Sequence, residues 1–266
     1  MVKSIIEKWY KRLEFDKKYD KDFYQALNEI EIPPETTISN YDMSCEDGMK
    51  NLLVALYSCE RLQRLYKEKG ISDEILIDSL HDINRWLDTW SKVKGKTHLG
   101  EMSWLSRTLN GNLFKLGRLQ FAFITSKHDY PDSELLKGQK VIDVHIPADG
   151  KLSEQSVKQS FNMAKEFAKK FFPMHENAPF ITHSWLLDKT LEEYLSPESN
   201  TLKFAKLWTE VHKDPSFALL RFIFSWDTNE NNLKDAPITN SFMQKIKQAV
   251  LDGKQFYEVL GIIRQN

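Results

Sequence analysis

The fold of this chain is decided by residues 139–194, which read QKVIDVHIPADGKLSEQSVKQSFNMAKEFAKKFFPMHENAPFITHSWLLDKTLEEY. Residues 139–146 place successive side chains on alternating sides, with the period of two that is typical of a β-strand. Asp143 and His145 lie on the same face of this predicted strand. Residues 178–185 form a second short apolar run that ends in polar residues, and we predict a second strand there.

The segment between the two predicted strands has the pattern of an amphipathic helix. Ser153 follows a turn that contains Pro147 and Gly150, and its hydroxyl is suited to accept a hydrogen bond from a free backbone N–H as an N-cap. The helix is predicted to run to about Phe172, and its apolar face comprises Val157, Phe161, Ala164, Ala168 and Phe171. Two strands joined by a crossover helix of this length are expected to lie parallel in one sheet.

Helical periodicity dominates residues 1–111, which predicts a helical N-terminal domain. Its predicted helices span residues 4–15, 22–30, 47–69, 72–94 and 102–109. Residues 112–266 predict a second domain, with strands at 113–124, 139–146, 178–185, 217–226 and 256–263 and helices at 153–172, 186–195, 201–212 and 240–251. The predicted fold class is therefore α+β or α/β, a helical subdomain followed by a mixed sheet flanked by helices.

The composition argues against several classes of protein. The 266 residues include 37 lysines and arginines against 38 aspartates and glutamates, so no excess of positive charge indicates nucleic-acid binding. No run approaches the roughly 18 apolar residues of a membrane span. Two cysteines, Cys45 and Cys59, are too few for a disulfide scaffold and lack metal-ligand spacing. We expect a cytoplasmic protein that uses no metal and binds neither nucleic acid nor membrane.

Two histidines, His145 and His183, are the first candidates for chemistry. Each lies at the end of a predicted strand, and open α/β sheets bind ligands at the carboxyl ends of their parallel strands. Histidine exchanges a proton near neutral pH, which suits it for general acid–base catalysis. For either histidine taken alone, a structural side chain bonded to backbone groups is the commoner alternative.

Nucleophilic serine and metal chemistry have little support in the sequence. Ser184 adjoins His183, but adjacent residues of a strand point to opposite faces, so this histidine is poorly placed to activate this serine. The Gly-x-Ser-x-Gly motif is absent. The remaining histidines show no spacing that is typical of a metal site.

The loop Asp149-Gly150-Lys151 lies between the first strand and the crossover helix. Its backbone N–H groups and the positive end of the helix dipole could bind a phosphate. Asp-Gly pairs are also common in ordinary turns, which is the alternative interpretation.

Four short motifs stand out between residues 104 and 208. They are Leu116-Gly117-Arg118-Leu119-Gln120-Phe121, His145-Ile146-Pro147 with Gly150 and Leu152, His183-Ser184-Trp185-Leu186-Leu187-Asp188, and Ser199-Asn200 followed by Phe204. In order and spacing they resemble a family of bacterial acyltransferase-domain proteins that have an N-acyltransferase N-terminal helical domain and a GNAT-like C-terminal domain. The resemblance implies a helical N-terminal domain at residues 1–111 and a GNAT-like acyltransferase domain at residues 112–266.

The resemblance implies an acyl-CoA-dependent N-acyltransferase whose partners are a small-molecule acyl donor and an amine acceptor. GNAT enzymes bind acyl-CoA between two splayed parallel strands, with its pyrophosphate at the N-terminus of the following helix. With the strand-end histidines, the predicted catalytic residues are His145, His183, Ser184 and Tyr194. The residues implied to contact CoA are Ile146, Gly150, Lys151 and Ser153. Among the catalytic residues His145 corresponds to the base and Tyr194 to the acid, while the usual glycine-rich phosphate loop is reduced to Gly150.

The alternative is a GNAT-shaped module that binds another ligand or a partner helix in the same cleft and catalyses nothing. An enzyme would bind acyl-CoA and lose activity, with its fold retained, when His145 or His183 is changed. A non-catalytic module would not bind acyl-CoA.

Overall fold

The computed structural model describes residues 1–127, 129–133 and 135–265, and it divides into two compact units, residues 1–116 and residues 117–266. Within the described residues, no helix combines the length and the apolar character that crossing a membrane requires.

The first unit is helical. Its elements are α1 (Val2–Arg12), α2 (Asp20–Glu29), α3 (Gly48–Lys69), α4 (Asp73–Leu80), α5 (Asp82–Lys94), α6 (Met102–Leu109) and a short strand β1 (Phe114–Leu116). Helix α3 is central, because each of the other five helices contacts it. It begins at the N-cap Asp47, whose carboxylate accepts from two backbone N–H groups, and it ends at Gly70 in the left-handed conformation. The helix predicted at 47–69 is therefore confirmed.

The second unit is a sheet with helices. Its elements are β2 (Leu119–Thr125), β3 (Lys140–His145), α7 (Glu154–Phe171), β4 (Phe180–Ser184), α8 (Asn200–Ala205), β5 (Thr209–Pro215), α9 (Leu219–Ile223), α10 (Ser241–Leu251) and β6 (Tyr257–Ile263). Within this unit the described strands follow the order β2-β3-β4-β6-β5. Strands β3 and β4 are parallel, whereas the pairs β2–β3, β4–β6 and β5–β6 are antiparallel. The predicted strand–helix–strand unit and the mixed sheet are thus confirmed.

Helix α7 covers one face of the sheet with aromatic side chains. The ring of Phe161 lies 4.8 Å from that of Phe180 in β4 and 6.2 Å from that of Phe121 in β2. Ala164 and Ala168, which belong to the same helix, are fully buried. This layer explains why the apolar stripe in the sequence predicted α7 correctly.

The opposite face of the sheet has a smaller apolar cluster. Val141, Ile181 and Ile262 from three adjacent strands are buried together with Leu135 from the loop that precedes β3. Asp143 follows Val141 on this face, two residues nearer the carboxyl end of β3. The face therefore changes from apolar to polar along the strand.

Two predicted elements near residue 210 are wrong. The predicted helix 201–212 is divided between α8 and β5, and the predicted strand 217–226 contains α9 instead. Strand β5 lies at the sheet edge and is largely exposed, so its sequence lacks the apolar alternation of a half-buried strand. The aromatic residues around α9 favoured a strand, but Leu219 and Leu220 are adjacent and both are buried in one helical cluster.

The run 113–124 forms two strands rather than one. Gly117 has a φ of +70°, and a Cβ there would lie 2.9 Å from the Ser160 hydroxyl oxygen, so this turn favours glycine on both counts. Arg118, which the sequence placed inside a strand, lies in the same turn. Elsewhere the predicted helix 72–94 is divided between α4 and α5, and the predicted helix 186–195 is replaced by short 3₁₀ turns.

Ser160 attaches this turn to α7. Its side chain is fully buried, and its hydroxyl oxygen accepts from the backbone N–H of Arg118 at 2.7 Å and from that of Leu119 at 3.3 Å. One hydroxyl thus satisfies two backbone donors beside the helix.

We expect Ser160→Ala to lower the free energy of unfolding by about 1–3 kcal/mol, because the backbone N–H groups of Arg118 and Leu119 would lose their common acceptor. Urea unfolding measures this change. Gln159→Ala, at an exposed position of the same helix, is the control and should change stability by less than about 0.5 kcal/mol. Equal values for the two variants would contradict the role assigned to the Ser160 hydroxyl.

Candidate active site

The backbone ladder between β3 and β4 ends before the strands do. It contains the pairs Ile142–Phe180 and Asp143–Ile181, although β3 continues to His145 and β4 to Ser184. Beyond the ladder, a side chain joins the strands: the Thr182 hydroxyl donates to the Val144 carbonyl at 2.7 Å. The carboxyl ends of two parallel strands, where ligands bind in open α/β sheets, are therefore held together here by a side-chain contact.

Asp143 and His145 form a close pair at this end of β3. The Nε2 atom of His145 lies 2.9 Å from a carboxylate oxygen of Asp143, and the two side chains are 22% and 16% exposed. A carboxylate this close can orient the imidazole ring and stabilise positive charge on it during proton transfer. The sequence spacing predicts that the two residues share a face, but it does not predict their contact.

His183 lies on the same face of the sheet as this pair. Ile181 is the register partner of Asp143, and His183 follows it by two residues, so the side chains share a face. His183 is exposed, and its register partner in β6 is Leu260. The two histidines chosen from the sequence are thus at the ends of adjacent strands on one face.

Ser184 points to the other face and has a structural contact. Its hydroxyl oxygen accepts from the backbone N–H of Leu186 at 3.2 Å and begins a 3₁₀ turn at the end of β4. Ser184 is only 8% exposed. The predicted separation of His183 and Ser184 by strand alternation agrees with these contacts.

Tyr194 has apolar surroundings. Its ring centroid lies 5.9 Å from that of Phe256, and it packs against the buried cluster that includes Leu191 and Leu220. Tyr194 directly follows the 3₁₀ turn Lys189–Glu193, which comes after β4. Its ring therefore lies beside Phe256, the residue that precedes β6.

The loop at residues 149–151 is held by Arg118. The guanidinium donates to the Asp149 carboxylate at 3.1 Å, to the Gly150 carbonyl at 2.8 Å and to the Lys151 carbonyl at 3.2 Å. The side chain of Arg118 is only 10% exposed. Gly150 has a φ of +145°, which side chains rarely adopt, so glycine is required by conformation at this position. The Arg118 guanidinium therefore fixes the conformation of residues 149–151.

The remaining residues implied to contact CoA flank this loop. The hydroxyl of Ser153 accepts from the backbone N–H of Ser156 and caps α7, as predicted. Lys151 is exposed, and Ile146, directly after β3, is half-buried. Lys151 and the first turn of α7 therefore both follow the end of β3 within a few residues of sequence.

His175, outside this region, fits the alternative of a structural histidine bonded to a backbone group. His175 is buried, its Nε2 lies 3.0 Å from the Ile124 carbonyl oxygen, and burial lowers its pKa below the ordinary value. Among the residues that the structure describes, no group of three histidine, cysteine, aspartate or glutamate side chains could hold a metal ion.

Family models match nearly the whole chain. Residues 113–263 match the GNAT-like C-terminal domain, and residues 6–111 match the N-acyltransferase N-terminal domain. The chain belongs to the GNAT-like C-terminal domain family. The resemblance stated from the sequence motifs is confirmed. No curated protein sequence matches this family member.

Solved acyltransferase structures resemble this GNAT-like protein. One, an acyltransferase in complex with decanoyl-CoA and teicoplanin, is 26% identical, with a TM-score of 0.72 over 81% of this chain. An acyltransferase in complex with CoA and 10C-teicoplanin gives the same values, and one with decanoyl-CoA alone is 25% identical with a TM-score of 0.71. The matches span 66% of the length of those acyltransferase chains.

We expect Arg118→Lys to lower the free energy of unfolding by about 1.5–3 kcal/mol, because a single ammonium group cannot reproduce the planar set of bonds to residues 149–151. Urea unfolding tests this change. Arg221→Lys is the control, since Arg221 is exposed and its guanidinium lies 6.0 Å from the Trp226 ring. A loss no larger than that of the control would show that the bonds of Arg118 to the loop contribute little.

Proposed function

We propose that this protein is an N-acyltransferase that transfers an acyl group from acyl-CoA to an amine. The observation that carries the proposal is the end of the β3–β4 ladder at Asp143 and Ile181, with the Asp143–His145 pair directly beyond it. GNAT-like enzymes, as the resemblance implies, bind acyl-CoA between two such strands. The solved relatives bound to decanoyl-CoA and CoA support a CoA thioester as the donor.

The donor is proposed to enter between the ends of β3 and β4. Its phosphates would lie near Gly150, Lys151 and the first turn of α7 at Ser153. Ile146 would contact another part of the acyl-CoA molecule. The positive end of the α7 dipole and the lysine favour an anion there. Because two of the loop carbonyls already bind Arg118, the proposed phosphate contacts come from backbone N–H groups and Lys151.

The proposed reaction is direct attack by the amine. The nitrogen attacks the thioester carbonyl carbon, so a C–N bond forms while the C–S bond breaks. His145, held by Asp143, accepts the proton that the amine loses. The CoA sulfur leaves as a thiolate and takes a proton, for which Tyr194 is the proposed donor. A backbone N–H at the strand end would polarise the thioester carbonyl.

His183 and Ser184 complete the proposed site. His183 shares the face of the catalytic pair and could take part in proton transfer there. Ser184, on the other face, is proposed to fix the end of β4 through its cap to Leu186. The free thiols Cys45 and Cys59 are consistent with a reducing compartment, and we propose a cytoplasmic location.

The function is tested by calorimetric titration with CoA, octanoyl-CoA and decanoyl-CoA, together with thiol release. The amine panel contains propylamine, ethanolamine, cyclohexylamine, glucosamine, lysine and the glycopeptide teicoplanin. Saturable binding of an acyl-CoA with amine-dependent thiol release supports the proposal. No binding at millimolar ligand would overturn it and favour the non-catalytic module.

We expect His145→Ala to lower kcat by roughly 10²–10⁴-fold while the affinity for CoA stays near that of the wild type, because a general base acts only in the chemical step. Steady-state thiol release and calorimetry measure the two quantities. His212→Ala is a matched control: His212 also lies near an aspartate two residues away, at 3.1 Å from Asp214, but this pair is exposed on the edge strand. An equal loss of kcat in both variants would contradict the role of His145.

We expect Lys151→Ala to weaken CoA binding about fivefold at low salt, as an exposed charge pair contributes up to about 1 kcal/mol. The difference should vanish near 1 M salt, where the Debye length is about 3 Å. Calorimetry at several salt concentrations measures it. Lys67→Ala, an exposed lysine near the end of α3, should bind CoA like the wild type throughout. A salt-independent loss in Lys151→Ala would exclude the phosphate contact.

A further inference from the structure

Gln120 in β2 is a buried amide whose donor has no partner. The side chain is 2% exposed, and its Nε2 makes no hydrogen bond to any of the residues that the structure describes. Buried polar atoms in proteins are nearly always hydrogen-bonded, and an exception requires an explanation. Gln120 also belongs to one of the sequence motifs for which the proposed reaction gives no role.

The position of Gln120 supplies the explanation. Its register partner across the β2–β3 ladder is His145, so the two side chains lie side by side on one face, with Cβ atoms about 4.5–5.5 Å apart. Asp143 occupies the Nε2 side of the His145 ring at 2.9 Å. An unsatisfied amide donor therefore lies directly beside the group that the proposed function uses as the base.

A purely structural glutamine would be a poor choice at this position. A methionine has nearly the same length and volume, and it buries no donor that must lose its hydrogen bond to water. A polar side chain that reduces stability at the edge of a site is typical of residues retained for function.

We infer that the Gln120 amide binds the acyl acceptor by donating its N–H to an oxygen close to the reacting amine. This inference rests on the proposed function. The acceptor class is then an amine with a hydroxyl or carbonyl oxygen near the nitrogen, such as an amino sugar or an amino alcohol. The neutral amide recognises the oxygen while His145, beside it, takes the proton of the amine.

The test compares wild type with Gln120→Met on two matched pairs of amines, glucosamine with cyclohexylamine and ethanolamine with propylamine, with octanoyl-CoA as donor. We expect the variant to unfold at the same or a higher temperature and to bind CoA normally. Its kcat/KM should fall about 10- to 100-fold for the oxygen-bearing amine of each pair and change little for the other. Thr108→Val is the control, because the Thr108 hydroxyl is also buried with no partner among the described residues but lies in the helical unit. It should leave kcat/KM unchanged.

Three results would overturn the inference. They are wild-type kcat/KM in Gln120→Met for every amine, an equal loss for both members of each pair, and failure of both Gln120→Met and Gln120→Leu to fold. The last would mean that the amide is needed for packing. If the wild type itself neither binds acyl-CoA nor releases thiol with any amine, the proposed function fails, and that result is obtained without any variant.

Discussion

The short ladder between β3 and β4 is the constraint on which the rest of the second unit depends. These strands share only two residue pairs, whereas β3 is paired with β2 over six residues and β4 with β6 over five. Each inner strand is therefore fixed by its outer neighbour, and the two can end independently of each other. The antiparallel hydrogen bonds on the outside allow the parallel pair to separate at its carboxyl end without loss of the sheet.

The turn between β1 and β2 fixes the neighbourhood of this opening. Ser160 holds the turn against α7, and Arg118 in the turn binds three successive residues of the loop that leads into α7. A guanidinium can do this because its donors lie in one plane and serve several oxygens at once. The start of α7 is thereby positioned by its own cap at Ser153 and by a contact from a distant part of the sequence.

Local patterns in the sequence were sufficient for β3, α7 and β4, because alternation, an N-cap and an apolar stripe are properties of consecutive residues. They were insufficient for β5, since an exposed edge strand needs no apolar face, and for α9, where burial of adjacent leucines in a cluster outweighed the strand preference of its aromatic neighbours. The face shared by Asp143 and His145 followed from their spacing. Their contact depends on rotamers, which spacing does not determine. Arg118 and Asp149 are separated by 31 positions, and sequence patterns do not connect residues so far apart.

The Thr182 hydroxyl, which bridges the strands beyond the ladder, has a consequence for how the opening can be used. A backbone ladder separates only when several hydrogen bonds are broken in register, but this bridge is one side-chain bond, worth about 0.5–1.5 kcal/mol, and it breaks by rotation about a single torsion. Breaking this bridge therefore needs no movement of the strands, and a small molecule with its own donor can satisfy the Val144 carbonyl in place of the hydroxyl.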